Sequence, residues 1–252
     1  SIVDLPTLGR PQSVTNIDES AFYDCPALAD VYYGGNIVDW CLIDFKYGSS
    51  NPMSNAGNLY LKGNLLPEDL VLPTEMTKIS SYTFTGLPVK SMVIPDSVTD
   101  IEEYAFYSCS SLESINLPND ITEINDYTFS NCRSLESISI PYGVTFIGSN
   151  AFYYCTELKK VSIPSSVTKI ENQAFRDCDS LVSISIPDSV KTIDDYAFDS
   201  CTFLKSVKLP SELTEISYQL FGSCVSLETI TIPESVTKID SYAFYYCRKL
   251  RS

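Results

Sequence analysis

The residues of this chain best suited to chemistry by type and spacing are its cysteines, because seven of them recur at one fixed interval. The interval between Cys109 and Cys132 is repeated without change by the rest of the series: Cys155, Cys178, Cys201, Cys224 and Cys247. A cysteine repeated in this way could be a nucleophile, a metal ligand, half of a disulfide or a core residue. The sequence has no histidine and no C-x-x-C pair, which disfavours zinc and removes the commonest general base.

Packing explains the repeated cysteine better than chemistry does. Leu87 stands at the equivalent position of a shortened repeat, and an apolar residue there favours a small buried side chain. Stacked neighbours would also have parallel Cα–Cβ directions, which give a poor disulfide torsion. We therefore expect the seven cysteines to be buried and reduced. Cys25 and Cys41 lie outside the regular register, and their redox state is left open.

Paired carboxylates are the second candidate chemistry. They occur at Glu102–Glu103, Asp194–Asp195 and Asp18–Glu19. A glycosidase pair needs a cleft and a raised pKa on one partner, and a repeated outward position provides neither. A weak calcium site is the remaining alternative, although the spacing of no known calcium loop occurs. The sequence predicts no catalytic residue, no metal site and no cofactor, and hence a protein that is not an enzyme.

Composition restricts the partners. The 252 residues carry a formal charge of −15 and are 44% hydrophobic. Such acidity argues against nucleic acid and against anionic membrane surfaces, which both attract basic residues. Since no apolar run approaches the length of a membrane span, we expect no membrane insertion.

The elements that position these residues repeat with the same period as the cysteines. Seven prolines, from Pro95 to Pro233, recur at the identical interval. In one unit, Ile115 and Leu117 alternate with polar residues as in a short strand, and Pro118 ends that strand. One such loop cannot bury its own apolar side, whereas stacked copies share a core. The period therefore predicts a solenoid whose strands form a parallel sheet.

The repeat resembles a leucine-rich repeat, and more narrowly the BspA-like class, also called the Treponema pallidum type. Its marks are L-x-x-I-x-I-P, S-V-T-x-I and A-F-x-x-C, the first and third of which occur in the segment from Ser180 to Cys201. The resemblance covers about residues 11–33 and 70–252. It implies an α/β-type solenoid, a right-handed superhelix with a concave parallel β-sheet and short strands, turns or 3-10 segments on its convex side. It also implies a bacterial, non-catalytic protein, secreted or at the cell surface.

We expect one solenoid over residues 1–252, with about nine to ten coils and a continuous sheet. Residues 1–33 would form an irregular N-terminal coil and the first repeat, and residues 34–69 an irregular insert coil. Regular repeats of about 23 residues would fill 70–252, the last of them incomplete. The open final coil suggests either a monomer or end-to-end association through an uncapped terminus.

Two surfaces are candidates for ligand binding. One is the outward strand column, whose small polar side chains could contact a glycan or a peptide or only solvate the sheet: Ser114, Ser137, Lys160, Ser183, Ser206 and Thr229. The other is the insert, where Trp40, Tyr47 and a polar loop over Gly48–Asn58 break the repeat. Projecting loops on rigid scaffolds often carry function, although the insert could equally be structural.

The resemblance thus implies an adhesion module that binds an extracellular protein or glycan of a host or of a neighbouring microbe. The alternative is a structural spacer within a longer multidomain surface protein.

Overall fold

The computed structural model describes residues 2–4 and 14–251 and shows a parallel β-solenoid with little helix. Each regular coil has two short strands separated by turns, so two ladders of strands run along the molecule. The first ladder holds β1 (Ile2–Asp4), β3 (Asp30–Tyr33), β5 (Asn58–Leu61), β7 (Asp69–Val71), β9 (Ser91–Val93), β11 (Ser114–Asn116), β13 (Ser137–Ser139), β15 (Lys160–Ser162), β17 (Ser183–Ser185), β19 (Ser206–Lys208) and β21 (Thr229–Ile230).

The second ladder follows the proline of each regular coil. It holds β2 (Asn16–Ile17), β4 (Asp44–Phe45), β8 (Lys78–Ile79), β10 (Asp100–Ile101), β12 (Glu123–Ile124), β14 (Phe146–Ile147), β16 (Lys169–Ile170), β18 (Thr192–Ile193), β20 (Glu215–Ile216) and β22 (Lys238–Ile239). Pairing within both ladders is parallel, and the exception in the described part is β6 (Asn64–Leu65), which pairs antiparallel with β5. Partners in the regular coils are offset by one full repeat, as in Ser137 with Lys160, which confirms the predicted parallel solenoid.

Two details differ from the prediction. The solenoid has about seven regular turns rather than nine to ten, because the chain before β7 forms irregular coils, a short hairpin and helical turns instead. The first ladder is also divided into four sheets: β1, β3 and β5 with β6 form the first, β7, β9 and β11 the second, β13 and β15 the third, and β17, β19 and β21 the fourth. Backbone hydrogen bonds still join the coils across the last two breaks, among them those from Glu136 N to Glu113 O (3.1 Å) and from Ser180 N to Thr156 O (3.0 Å).

A column of phenylalanines forms the centre of the core. Its rings stack from coil to coil with centroids 5.1–5.8 Å apart and nearly parallel planes: Phe84, Phe106, Phe129, Phe152, Phe175, Phe198, Phe221 and Phe244. Aromatic pairs of this kind contribute about 0.5–1.5 kcal/mol beyond the burial of their area. The phenylalanine of each coil thus fixes where the next coil sits.

The cysteine column lies beside the phenylalanines and is buried and free, as predicted. Cys109 to Cys224 are completely buried, and Cys247 in the last coil is half-buried. Each Sγ of the column donates a hydrogen bond to the backbone carbonyl of an earlier phenylalanine, as Cys109 does to Phe84 (2.9 Å) and Cys178 to Phe152 (3.2 Å). Burial raises the pKa of the Cys178 thiol well above its ordinary value. The column is therefore a set of protonated donors that link coils, a role the sequence did not indicate.

Two positions in each coil adopt the left-handed conformation. One lies two residues before the phenylalanine, as at Tyr104 (φ 58°), and the other directly before the cysteine, as at Ser108 (φ 58°). Most L-residues avoid this region, at a cost of roughly 1–2 kcal/mol. Gly86 holds the second position where the insert passes, and a Cβ there would lie 2.3 Å from the Met53 carbonyl oxygen. The tight turns around the phenylalanine therefore recur at a conformational cost that packing must offset.

The insert is a packed structural coil, so the predicted projecting loop is wrong. Helix α1 (Ile37–Cys41) places Trp40 in the core, where the indole is fully buried and donates to the Thr83 carbonyl (3.1 Å). Two 3-10 turns follow at Gly48–Ser50 and Pro52–Ser54. Between them, Asn51 is fully buried and its amide nitrogen donates to the carbonyls of Tyr82 (2.9 Å) and Thr83 (3.2 Å). The segment closes the open side of the next coil.

Replacing Asn51 with alanine should lower the free energy of unfolding by about 2–3 kcal/mol, because it leaves two buried carbonyls without this donor. Replacing Gly48–Asn58 with a glycine linker should lower the melting temperature as well. Asn55→Ala is the matched control, since its amide bonds the Phe22 carbonyl at an exposed site. Equal chemical stability of the Asn51 and Asn55 variants in urea would contradict the structural role.

The buried cysteines should resist a thiol reagent in the native protein, with Cys25 and Cys247 labelled first because they are half-buried. Cys41 should react more slowly than these two, since burial raises the pKa of its thiol well above its ordinary value. All nine cysteines should react after denaturation. Cys178→Ala should cost about 1–2 kcal/mol by losing a packed sulfur and its hydrogen bond. Mass spectrometry of timed labelling locates the modified residues, and rapid native labelling of Cys132 to Cys224 would refute the packing.

Ser108→Asn should raise the free energy of unfolding by about 0.5 kcal/mol, since asparagine tolerates the left-handed conformation better than serine does. Ser114→Asn, in an extended strand that disfavours asparagine, should not. Urea denaturation compares the two variants, and a loss of stability in the Ser108 variant would show that its side chain matters more than its backbone.

Candidate functional site

The outward column of the first ladder is exposed along the regular coils. Its members are Ser114, Ser137, Lys160, Ser183, Ser206 and Thr229, and consecutive strands align them in register, as in Ser183 with Ser206. The inward neighbours, such as Ile138 and Ile184, are buried. The side chains of this column therefore point outward, as predicted. Their role in ligand binding remains a prediction.

A stacked tyrosine pair extends the same ladder toward the N-terminus. Tyr32 on β3 and Tyr60 on β5 are register partners at outward strand positions, and their rings stack with centroids 4.4 Å apart. Asn58 Nδ2 donates to Asp30 Oδ1 (2.8 Å) at the neighbouring outward position of the two strands. This pair was missed from the sequence, although the alternation in DVYY and NLYL would have shown both tyrosines on one face.

The electrostatic surroundings keep the Tyr32 phenol protonated. Desolvation, together with the nearby Tyr60 phenol and the Asp30 carboxylate, raises the pKa of Tyr32 above its ordinary value. A neutral phenol can donate and accept hydrogen bonds while its ring offers apolar area. Tyr32, Tyr60, Asp30 and Asn58 thus combine an aromatic platform with adjacent amide and carboxylate groups.

Apolar side chains continue the outward surface before the hydroxyl column begins. Val71 and Val93 are register partners on β7 and β9 and are 69% and 43% exposed, respectively. Val93 is in turn paired with Asn116 on β11. The first ladder therefore changes from an aromatic and aliphatic surface in its N-terminal part to a hydroxyl-rich surface in the regular coils.

The two predicted binding surfaces do not meet. Trp40 is buried and cannot contact a ligand, which corrects its assignment to the site. Tyr47 is 50% exposed, but it lines a cavity of about 610 Å³ with Leu42, Tyr82 and Glu103 at the edge of the second ladder. No residue of the outward column lines that cavity. Tyr47 therefore belongs to a different surface from Ser114 to Thr229.

The paired carboxylates are largely engaged in holding coils together. Glu102 accepts from the Ser81 backbone N–H (2.8 Å) and forms an ion pair with Lys78. Burial alone would raise the pKa of Glu102, but the hydrogen bonds from Lys78 and Ser81 lower it below its ordinary value. Asp194 forms an ion pair with Lys169 (3.1 Å). These contacts favour a structural role for Glu102 and Asp194.

Two further features are absent from the described residues. None of their helices is long and apolar enough to cross a membrane. Over the same residues, no group of three or more histidine, cysteine, aspartate or glutamate side chains is placed to hold a metal ion.

Comparison with known structures gives relatives of the same architecture. A leucine-rich repeat protein from T. pallidum is 31% identical, with a TM-score of 0.65 over 69% of this chain and 83% of that one. One from Eubacterium ventriosum is 22% identical and has a TM-score of 0.67 over 99% of this chain and 71% of its own. A search of curated protein sequences found no match.

The family comparison rests on the repeat itself. The BspA type leucine rich repeat region matches in six copies, over residues 2–45, 62–182 and 122–251. These ranges include most of the chain and contain the L-x-x-I-x-I-P and A-F-x-x-C segments whose isoleucines, phenylalanines and cysteines form the core. The chain belongs to the BspA-type leucine-rich repeat family.

Proposed function

We propose that this protein is a non-catalytic binding module, secreted or displayed at the cell surface, which adheres to an extracellular protein or glycan of a host or a neighbouring microbe. The observation that carries the proposal is the Tyr32–Tyr60 pair on the outward face of the first ladder. Tyrosine is enriched among the residues that dominate binding energy, and a rigid pair loses little entropy on binding.

The contact surface would combine this anchor with the outward column. Val71 and Val93 supply exposed apolar area beside the column. Hydrogen-bonding groups in register come from the hydroxyls of Ser114, Ser137, Ser183, Ser206 and Thr229 and the amine of Lys160. Repeated polar groups at the strand spacing suit an extended ligand. Tyr47 lies in a separate cavity and is not part of this surface.

A structural spacer is the second candidate function. The regular coils favour it, because their outward column lacks the aromatic and arginine side chains typical of binding hot spots. In that case the first ladder would have no partner, and the Tyr32–Tyr60 pair would only cover the N-terminal coils.

The test is a binding screen of the full chain, kept monomeric, against glycans and extracellular proteins. A Tyr32→Ala, Tyr60→Ala double variant should bind any hit at least about tenfold more weakly, as loss of an aromatic anchor predicts. Tyr142→Ala is the control, because Tyr142 is 75% exposed and lies outside the proposed surface. A hit that binds the double variant as tightly as the Tyr142→Ala variant would show that the binding site does not include Tyr32 and Tyr60. A screen without hits would favour the spacer function.

A further inference from the structure

A second surface, at the edge of the second ladder, has the shape of a groove that follows the solenoid. The cavity beside Tyr47 adjoins another of about 480 Å³, and the two share Ser81, Glu102 and Glu103. Together they reach from Asp44 in the insert to Glu171 in a regular coil. This span crosses four to five coil spacings, or about 20–24 Å, which is the length of about six to seven extended residues.

The groove exists because small side chains separate larger ones at its floor. The two positions after the second-ladder strand hold Ser80 and Ser81 in one coil, and both serines line the first cavity. At the same positions the insert has Lys46 and Tyr47, with the Tyr47 ring half exposed. The depression therefore follows from the sequence of these coils and not from a gap in the core.

The N-terminal half of the chain, which contributes most of the lining of the groove, carries most of the negative charge. Residues 1–127 hold 18 of the 32 acidic residues and 5 of the 17 basic ones, a formal charge of −13, whereas residues 128–252 carry only −2. Lysines pair with Asp44, Glu102 and Glu171 in the groove. Among the described residues, no lysine or arginine forms an ion pair with the remaining two carboxylates, Glu103 and Asp126.

Aromatic and apolar groups complete the lining at the insert end. Tyr47 is 50% exposed and Leu42 is 69% exposed, and Tyr82 stacks on Tyr104 at 4.7 Å. Tyrosine rings attract cations through their faces, and their hydroxyls accept hydrogen bonds. Uncompensated carboxylates beside aromatic rings are complementary to a cationic ligand with long side chains.

We propose that this groove binds an extended, lysine- or arginine-rich segment of a partner protein. The segment would lie along the solenoid axis, with its cationic groups at Glu103 and Asp126 and an aliphatic stem against Tyr47 and Leu42. The groove is separate from the Tyr32–Tyr60 face, so its test stands independently of the adhesion proposal.

The probe is a fluorescent heptapeptide of alternating arginine and serine, titrated into the full chain and followed by polarisation at about 50 mM and about 300 mM salt. Binding should be saturable and at least about tenfold weaker at the higher salt, as expected for charge-driven association. An otherwise identical peptide with glutamate in place of arginine should not bind. No saturable binding of the arginine peptide, or equal binding of the glutamate peptide, would overturn the proposal.

Matched substitutions locate the site. Asp126 Oδ1 accepts from the Ser149 N–H (2.7 Å), so Asp126→Asn keeps the acceptor and removes only the charge. Together with Glu103→Gln it should weaken peptide binding about tenfold. Asp195→Asn is the control, because Asp195 Oδ1 makes the equivalent bond to the Tyr218 N–H (3.1 Å) outside the groove. Equal losses in both variants would show diffuse attraction rather than a site.

The aromatic part has a matched pair of its own. Tyr47→Ala should weaken peptide binding about fivefold, whereas Tyr218→Ala, at the same position of a later coil, should leave it unchanged. Thermal unfolding of each variant checks that the fold is retained. If Tyr47→Ala binds as tightly as the parent while the charge variants do not, the proposed contact with Tyr47 is wrong.

Discussion

The whole structure depends on one constraint: each coil must place its phenylalanine and cysteine against the coil before it. The Phe129 ring stacks on Phe106, with 5.2 Å between the centroids, and the Cys155 thiol donates to the Phe129 carbonyl (3.1 Å). Because every coil packs against both the coil before it and the coil after it, an inserted or deleted residue would displace all contacts of the next coil. This explains why the length of the repeat is kept constant while the outward side chains vary.

The same constraint accounts for the backbone of the turns. The left-handed positions before each phenylalanine and each cysteine recur whatever residue is present: tyrosine, asparagine or glutamine at the first, and serine, asparagine, aspartate or tyrosine at the second. Core packing imposes the backbone conformation, so the type of side chain at these positions can vary with the needs of the surface. Tyr82, Tyr104 and Tyr127 use that freedom to form a stack with centroids 4.7 and 4.6 Å apart, in which burial and the two neighbouring phenols raise the pKa of Tyr104 to about 12.

The sequence predicted what repetition determines and failed where the repeat is interrupted. Alternation and spacing were enough for the parallel solenoid, the buried cysteines and the exposed column from Ser114 to Thr229. They could not predict how the insert packs. Asn51 is of a type common in loops, and only the folded structure shows that its amide donates to the carbonyls of Tyr82 and Thr83. Trp40 was assigned to a surface for the same reason. Tyr32 and Tyr60 are separated by more than one regular repeat, so a search by the regular period did not align them.

Acidity by itself does not define a site in this fold. Glu102, Asp126 and Asp195 each accept a backbone N–H from a neighbouring coil, the N–H of Ser81, Ser149 and Tyr218, respectively. In these coils, carboxylates therefore satisfy backbone donors at the coil edge. The two halves differ in how far basic residues neutralise the acidic ones. Residues 128–252 have 12 basic residues and 14 acidic ones, whereas residues 1–127 have 5 basic and 18 acidic ones. The low number of lysines in one half does not stabilise the fold, because carboxylates without nearby basic residues repel one another. The missing lysines are thus the feature that the packing of the solenoid does not explain, and two of the carboxylates left without a lysine, Glu103 and Asp126, line the groove that begins at Tyr47.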